Sequence, residues 1–567
     1  MTISSASFDY VVIGAGTAGC VVAGRLARSA RVLLLEAGGP DTGVQDGVDI
    51  GALVSDPGGI VKAAWNPTIG RPFPTEPQRR LDGRRIVINR GVVRGGCHAV
   101  NGMIYVRGHR HDFDTWAGLG NDGWSYADVL PYFLRSEAFA PAPLTYSAED
   151  LRHHGTSGPL PVRPIPHPTP FAGAFIEAAR ELGYRGGTPH WDFNGHQHED
   201  GAGLFQVTVT PDGRRATTAR AFLDDAAVAG RLTVILRASV SRIVLENGRA
   251  IGVEYVAAGR PATAWADAEV VLCAGAFGSP HLLMLSGIGP AAPLRTNGIR
   301  CVVDLPGVGQ NLQDHPMVVL IQEAAADTGQ STFTAEAGLF VRTQARVDAS
   351  PDLQFHALGK MPPLPPAFER VSRGLPPRYF TLCPTVSQST SRGSVTLRPG
   401  RPGAPLLIDP NYLETEEDWR TLEDGIALAE ALVCTRAIQA FGPRAPAFAL
   451  PDGWRIDLPP SGRRRRFIAA ALTTTWHPGG TCKMGRDELA VVDPQLRVRG
   501  VDALRVADAS IMPLLPSGNI NAACIMIGEK CADLLRPESP RPTIVPGEAP
   551  PIPVILQAIL ADRTRST

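Results

Sequence analysis

The strongest constraint on this chain lies near its N-terminus. Phe8–Ile13 (FDYVVI) is an apolar, β-rich run that breaks directly into Gly14-Ala15-Gly16-Thr17-Ala18-Gly19. Apolar positions at Val21, Val22, Leu26 and Ala27 follow at helical spacing. Arg31–Glu36 (RVLLLE) then reads as a second strand that ends in an acid. Strand, glycine turn, helix, strand and acid together specify a parallel α/β layer with a phosphate-binding turn. Gly14 permits the tight turn, Gly16 lets a pyrophosphate approach the backbone, and Gly19 lets the helix lie close to the sheet. The helix starting at Thr17 and Ala18 offers free amides and its positive dipole end to phosphate. Glu36, with Ala37 beside it, is placed to accept hydrogen bonds from a ribose diol. The unit predicts a dinucleotide, and does not by itself separate flavin from nicotinamide.

Composition narrows the partners. Lys+Arg and Asp+Glu both number 55 in 567 residues, so neither nucleic acid nor an acidic membrane surface is expected as the main partner. The nine cysteines show no CxxC pair or regular spacing, which argues against a disulfide framework or a zinc site and for a reducing compartment. The opening MTISSASFDYVVIGAG lacks the basic, apolar and cleavage regions of a signal peptide, and its apolar run is too short to span a membrane. A cytoplasmic location with no membrane span is therefore expected.

Several later segments resemble the glucose–methanol–choline (GMC) family of FAD-dependent oxidoreductases. Gly91–Met103 (GVVRGGCHAVNGM) is similar to the family's first signature, and Gly275–Gly289 (GAFGSPHLLMLSGIG) to its second. Gly307–His315, Trp476–Gly485 (WHPGGTCKMG), Leu504–Ser510 and Gly518–Asn521 complete the set in the family's order. The resemblance implies an α/β fold, a Rossmann-like FAD-binding domain with an interleaved α+β substrate domain built on an antiparallel sheet. It assigns residues 1–157, 215–316 and 470–536 to the FAD domain and 158–214 and 317–469 to the substrate domain. A proline-rich tail, 537–567, follows as an extended segment with room for a short amphipathic helix. Val100 stands where some relatives carry a flavin-tethering histidine, so non-covalent FAD is expected. Arg94, Cys97 and His98 depart from the usual pattern of that signature, and His98 is expected to hydrogen-bond a loop carbonyl or a phosphate oxygen.

The resemblance also distributes roles. Besides the glycine turn, Glu36 and Ala37, the expected cofactor-binding residues are Gly91, Val93, Gly95, Gly96, Asn101, Gly102, Met103, Ile104, Val240, Ala274, Gly275, Ser279, Trp476, Asp508, Ala509, Asn519 and Ala522. Loss of hydride from a carbinol carbon leaves positive charge there, which removal of the hydroxyl proton offsets. A base that titrates near neutral pH suits this step. His477 is the expected base, and Asn521 the neutral amide that holds the substrate oxygen beside it. His109, His111, His153, His154 and His281 are expected to be surface or structural. Arg463–Arg466 reads as the solvated first turn of a helix. The expected partner is a small-molecule alcohol, with oxygen or a quinone-type compound as the electron acceptor. Two other functions share these residues: a lyase in which FAD is redox-silent, and an electron-relay module docked through the tail.

Overall fold

A computed structural model describes residues 7–536 except 188–189, 196–199, 226–227, 229, 344–349, 363–373, 402–403, 445–446, 450–454 and 458–463. The proline-rich tail and Arg463 lie outside the described residues.

The first unit forms as its sequence dictates. Strand β1 (Ser7–Ile13) leads through the glycine turn into helix α1 (Thr17–Leu26), whose every residue is buried, and then strand β2 (Val32–Leu35). The strands β3 (Leu232–Ile235), β4 (Ala238–Glu246), β5 (Arg249–Ala257) and β6 (Arg260–Leu272) follow. Helix α2 (Gly275–Leu285), strand β7 (Leu504–Val506) and helix α3 (Asn521–Leu535) complete this layer. The sheet order is β3-β2-β1-β6-β5-β4, with β7 beside β6. β1 runs parallel to β2 and β6, β3 to β2, and β7 to β6, whereas β4, β5 and β6 form an antiparallel meander. The wholly apolar VLLL of β2 and VVI of β1 follow from a parallel sheet covered on both faces.

Two close approaches explain the glycines of the turn. Gly14 has φ +98, and a Cβ there would lie 2.5 Å from the Cys273 carbonyl oxygen. A Cβ on Gly19 would lie 1.9 Å from the Gly14 carbonyl oxygen, so helix and strand can meet only through hydrogen.

Helix α1 packs on α3, more than 500 residues later in the chain. The Arg25 guanidinium grips the buried Glu529 carboxylate through Nε and Nη2 at 2.7–3.1 Å. The chain also forms a second sheet. Its antiparallel order is 201–204, 337–341, 353–358, 379–386, 316–318, 472–474, with 320–323 also paired to 379–386. Helix Glu416–Val433 packs on it. The arginine run is also better partnered than expected: Arg464 pairs with Glu430 at 3.0 Å, and Arg465 with Glu416 and Glu423.

Four further segments meet in a buried ionic knot. Arg107 pairs with Glu137, and His154 lies between Glu137 Oε1 and Asp192 Oδ2, each at 2.8 Å. All four side chains are buried, and the His154 ring stacks on Phe139 at 3.8 Å. Burial opposes charge on His154, but the two carboxylates outweigh it and push its pKa up to about 9.

Candidate functional site

Three glycine-rich segments, far apart in sequence, converge at the C-terminal edge of the parallel strands. Gly95 N donates to the Ala15 carbonyl at 2.8 Å, and a Cβ on Gly96 would lie 2.6 Å from Gly16 Cα. A Cβ on Gly91 would in turn strike the Gly96 carbonyl. Val93 is buried and bridges to Gly39. Gly16 and Gly275 face open space. The third segment enters through α2, where Ala274 N donates to Ser279 Oγ and Gly275 N to Asp508 Oδ2.

The chemistry of this cradle fits a dinucleotide. No side chain caps the N-terminus of α1 or of α3, and neither carries an acid in its first turn. The two helix starts touch, because Thr17 Oγ1 donates to Asn521 Oδ1 at 2.9 Å. The Asn521 amide nitrogen is buried with no acceptor, and Ala522 beside it is also buried. Two uncapped positive ends and an idle donor form a site for phosphate and for polar carbonyl groups.

Glu36 and Asp508 have more protein partners than the sequence suggests. Glu36 Oε2 accepts from Ala15 N and Oε1 from Gly38 N, each at 2.7 Å. Burial raises its pKa against those two bonds. The carboxylate thus fastens the glycine turn and keeps one lone pair per oxygen for a ribose. Ala37 is exposed just after it. Ala238 N donates to the Glu36 carbonyl at 2.8 Å, which brings β4 alongside. Val240 stands there at a register shift, half-buried. The Asp508 carboxylate is engaged by Gly275 N, Ser279 Oγ and Ser510 N, so it closes its own turn and anchors α2. Ala509 continues that turn and accepts from Gly480 N.

The departures in the first signature are structural. His98 is wholly buried; Nε2 contacts Thr208 Oγ1 at 3.1 Å and Nδ1 accepts from Thr218 N at 3.2 Å. The partners are a hydroxyl and an amide, in place of the carbonyl or phosphate expected. Burial, then Arg215, lowers its pKa to about 3, which keeps the ring neutral. Arg94 pairs with Asp41 and Asp224, clamping the loop to neighbouring turns. Cys97 Sγ accepts from Gly91 N at 3.4 Å. Asn101 Oδ1 accepts from Met103 N, which holds Met103 at φ +61. A Cβ on Gly102 would lie 2.8 Å from Thr334 Oγ1, and Ile104 packs with Met103 in a small apolar cluster.

His477 is presented by a short loop. Trp476, at φ +61, donates from its indole to the Val87 carbonyl and accepts on its own carbonyl from Arg90. Asp314, buried, accepts from His477 N and His315 N and from the hydroxyls of Tyr412 and Thr474. The His477 ring then meets three groups. Nδ1 lies 2.9 Å from Thr475 Oγ1 and 3.0 Å from His315 Nδ1, and Nε2 lies 3.4 Å from Asn519 Nδ2. An amide N–H can only donate, so Nε2 is the bare nitrogen and Nδ1 carries the proton. Burial, and then the neighbouring His315, His356 and Arg90, hold its pKa well below the usual histidine value. The ring is a neutral base with its lone pair facing an amide.

This geometry corrects one expectation. Asn519, read from sequence as a cofactor contact, is the amide that meets His477, whereas Asn521 turns to Thr17. Asn519 lies before the helix and Asn521 is its first residue, so the two side chains leave in different directions. Sequence reading also missed Gln354 and His356, which alternate on the strand Leu353–Leu358. Gln354 Nε2 donates to Asn519 Oδ1 at 3.2 Å, while its own Oε1 is buried without a donor. Their i, i+2 spacing on a strand was the available signal, since it places both on one face.

Comparison with known proteins agrees with this construction. The profiles of the family described as GMC oxidoreductase match residues 8–317 with the N-terminal part and 389–528 with the C-terminal part. The chain is 38% identical to oxygen-dependent choline dehydrogenase of Pseudomonas fluorescens (strain Pf0-1), over 96% of this chain and 97% of that one. Among solved structures it resembles pyridoxine 4-oxidase from Mesorbium loti, at TM-score 0.79 and 31% identity, covering 92% of this chain and 98% of that one. It also resembles formate oxidase, at TM-score 0.82 and 25% identity, with 94% and 98% covered. Glycine cradle, uncapped helix starts and neutral histidine thus have one common origin: the chain belongs to the GMC oxidoreductase family and is an FAD-dependent enzyme acting on CH–OH donors.

Proposed function

We propose that His477 Nε2 takes the hydroxyl proton of a small alcohol while the Asn519 amide holds the alcohol oxygen. FAD, when bound, supplies the hydride acceptor. The single observation that carries this reading is the His477 ring, with a donor amide at Nε2 and Thr475 and His315 at Nδ1. Thr475 Oγ1 donates to the His315 carbonyl, so its lone pair can receive the Nδ1 proton of His477. That contact keeps the basic nitrogen turned toward Asn519 and supports the imidazolium formed as the proton moves.

The glycine turn, Glu36, Val240 and the uncapped starts of α1 and α3 would hold the nucleotide half of FAD. Gly91–Ile104, Ala274–Ser279, Trp476, Asp508–Ala509 and Asn521–Ala522 would hold the rest. The ring nitrogens of His98 are occupied by protein and Val100 has no nucleophile, which supports non-covalent binding.

The local charge favours a neutral alcohol. Arg90 and two neutral histidines bear on His477, and the nearby Asp314 carboxylate is consumed by four protein donors. Burial raises the pKa of Asp314 further. Identity to choline dehydrogenases favours a second reading, a choline-like substrate. Anaerobic addition of choline and of neutral alcohols to the FAD-loaded protein separates the two. Bleaching near about 450 nm reports arrival of the hydride. Reduction by neutral alcohols in preference to choline supports the first reading, and the reverse order supports the second. Carbonyl release without bleaching under any alcohol would overturn both.

A further inference from the structure

Arg215 is wholly buried, and among the described residues its hydrogen-bond partners include no carboxylate. Its Nε donates to the Val54 carbonyl at 2.9 Å. Its Nη1 donates to the Asn101 carbonyl at 2.6 Å, to Asn101 Oδ1 at 3.1 Å and to the His98 carbonyl at 3.4 Å. Every one of these acceptors is neutral. The remaining amino group, Nη2, is buried with no acceptor. Four other buried or nearly buried arginines are neutralised by contact: Arg25 by Glu529, Arg94 by Asp41 and Asp224, Arg107 by Glu137, and Arg505 by Glu269.

A buried, unpaired charge is costly and persists only where something compensates it. Burial lowers the Arg215 pKa to about 9, against the attraction of the Asp56 carboxylate, and Arg220 adds to the lowering. The group is therefore still a cation at neutral pH. Its place in the fold is specific. The carbonyls of His98 and Asn101 point back to it, while the same loop meets the Gly16 turn through Gly95 and Gly96.

We infer that Arg215 is a positioning residue whose charge, in contact with neutral acceptors only and one backbone layer behind the 98–103 loop, raises the tendency of bound FAD to accept hydride. This rests on the proposal above that the loop lies along the flavin. A hydride carries two electrons and one proton from the carbinol carbon, so the cofactor gains one net negative charge. That charge adds an attraction for Arg215, which has no carboxylate in contact, and in a low-dielectric interior the attraction acts across a loop.

The test is anaerobic redox titration of FAD-loaded protein against a reference dye, with an enzymatic reductant and no alcohol. The wild type is compared with Arg215→Lys, Arg215→Gln and Arg215→Met, with FAD content measured alongside. Arg215→Lys keeps the charge and loses the fork; its equilibrium should stay within threefold of wild type. The neutral variants should disfavour the reduced form by tenfold or more, which is about 30 mV for a two-electron couple. Neutral variants that retain FAD at the wild-type potential overturn the inference. If neither neutral variant holds FAD, Arg215→Lys decides: a potential lost with the charge intact means that Arg215 only holds the loop. A wild type reduced in this titration but by no alcohol would refute the alcohol reaction and leave this inference standing.

Discussion

Replacing one asparagine or the other separates two roles that lie two residues apart. Asn519→Ala removes the amide that faces His477 Nε2 at 3.4 Å and frees Gln354 Nε2, whose Oε1 already lacks a partner. Losing a donor aimed at a developing oxyanion costs about 2.7–4 kcal/mol, roughly a hundred- to thousand-fold in rate. The stranded Gln354 amide adds about 1–3 kcal/mol of lost stability. FAD content should be unchanged, because Asn519 contacts Gln354 on the strand Leu353–Leu358 and not the helix starts. Asn521→Ala should do the opposite. It breaks the link to Thr17 Oγ1 and removes the idle buried amide between α1 and α3, so FAD content falls. In that variant, reduction of the flavin that remains should slow far less. Stopped-flow bleaching under anaerobic conditions, read beside the FAD-to-protein absorbance ratio, measures both quantities. A rate for Asn519→Ala within a few-fold of wild type, or a larger rate loss in Asn521→Ala, would refute the assignment.

Other consequences are equally direct. His477→Ala should slow flavin reduction by about a hundred-fold or more, the range for a lost general base; reduction surviving within a few-fold would remove His477 from that role. The proposed base is the neutral form of His477 and its pKa is lowered, so kcat/KM should stay level as pH falls through 6.5 and drop only below it. A limb centred at pH 7 or above that His477→Gln abolishes would contradict the electrostatics. Glu36→Ala should cost FAD on dialysis and also lower the melting temperature of the apoprotein, since Ala15 and Gly38 lose their buried acceptor. His154 has a folded pKa raised to about 9, so its contribution to stability is complete below its ordinary value and is lost as pH rises through 9. The wild-type melting temperature should fall across that window, and His154→Gln should flatten the fall; equal slopes would show that the knot does not titrate.

The N-terminal layer was legible because its determinants are local. An apolar strand, a glycine turn, a helix and a closing acid each act within a few residues, and their close approaches tolerate no Cβ. The family signatures extended that reading to the cofactor. The roles of Arg94 and His98 were not legible, because their partners Asp41, Asp224, Thr208 and Thr218 lie up to 130 residues away. Nor did the helical pattern of α1 show that Arg25 would be matched by Glu529, 504 residues later.

Sequence alone determined that a dinucleotide turn and a histidine loop belong to one catalytic architecture, since both are written in short contiguous motifs. Only the tertiary structure decided which asparagine faces the histidine, that His315 and His356 bear on that ring, and that Gln354 holds the asparagine. The reason is geometric: a side chain's direction depends on where a helix begins and which strand face it occupies, and long-range packing sets both.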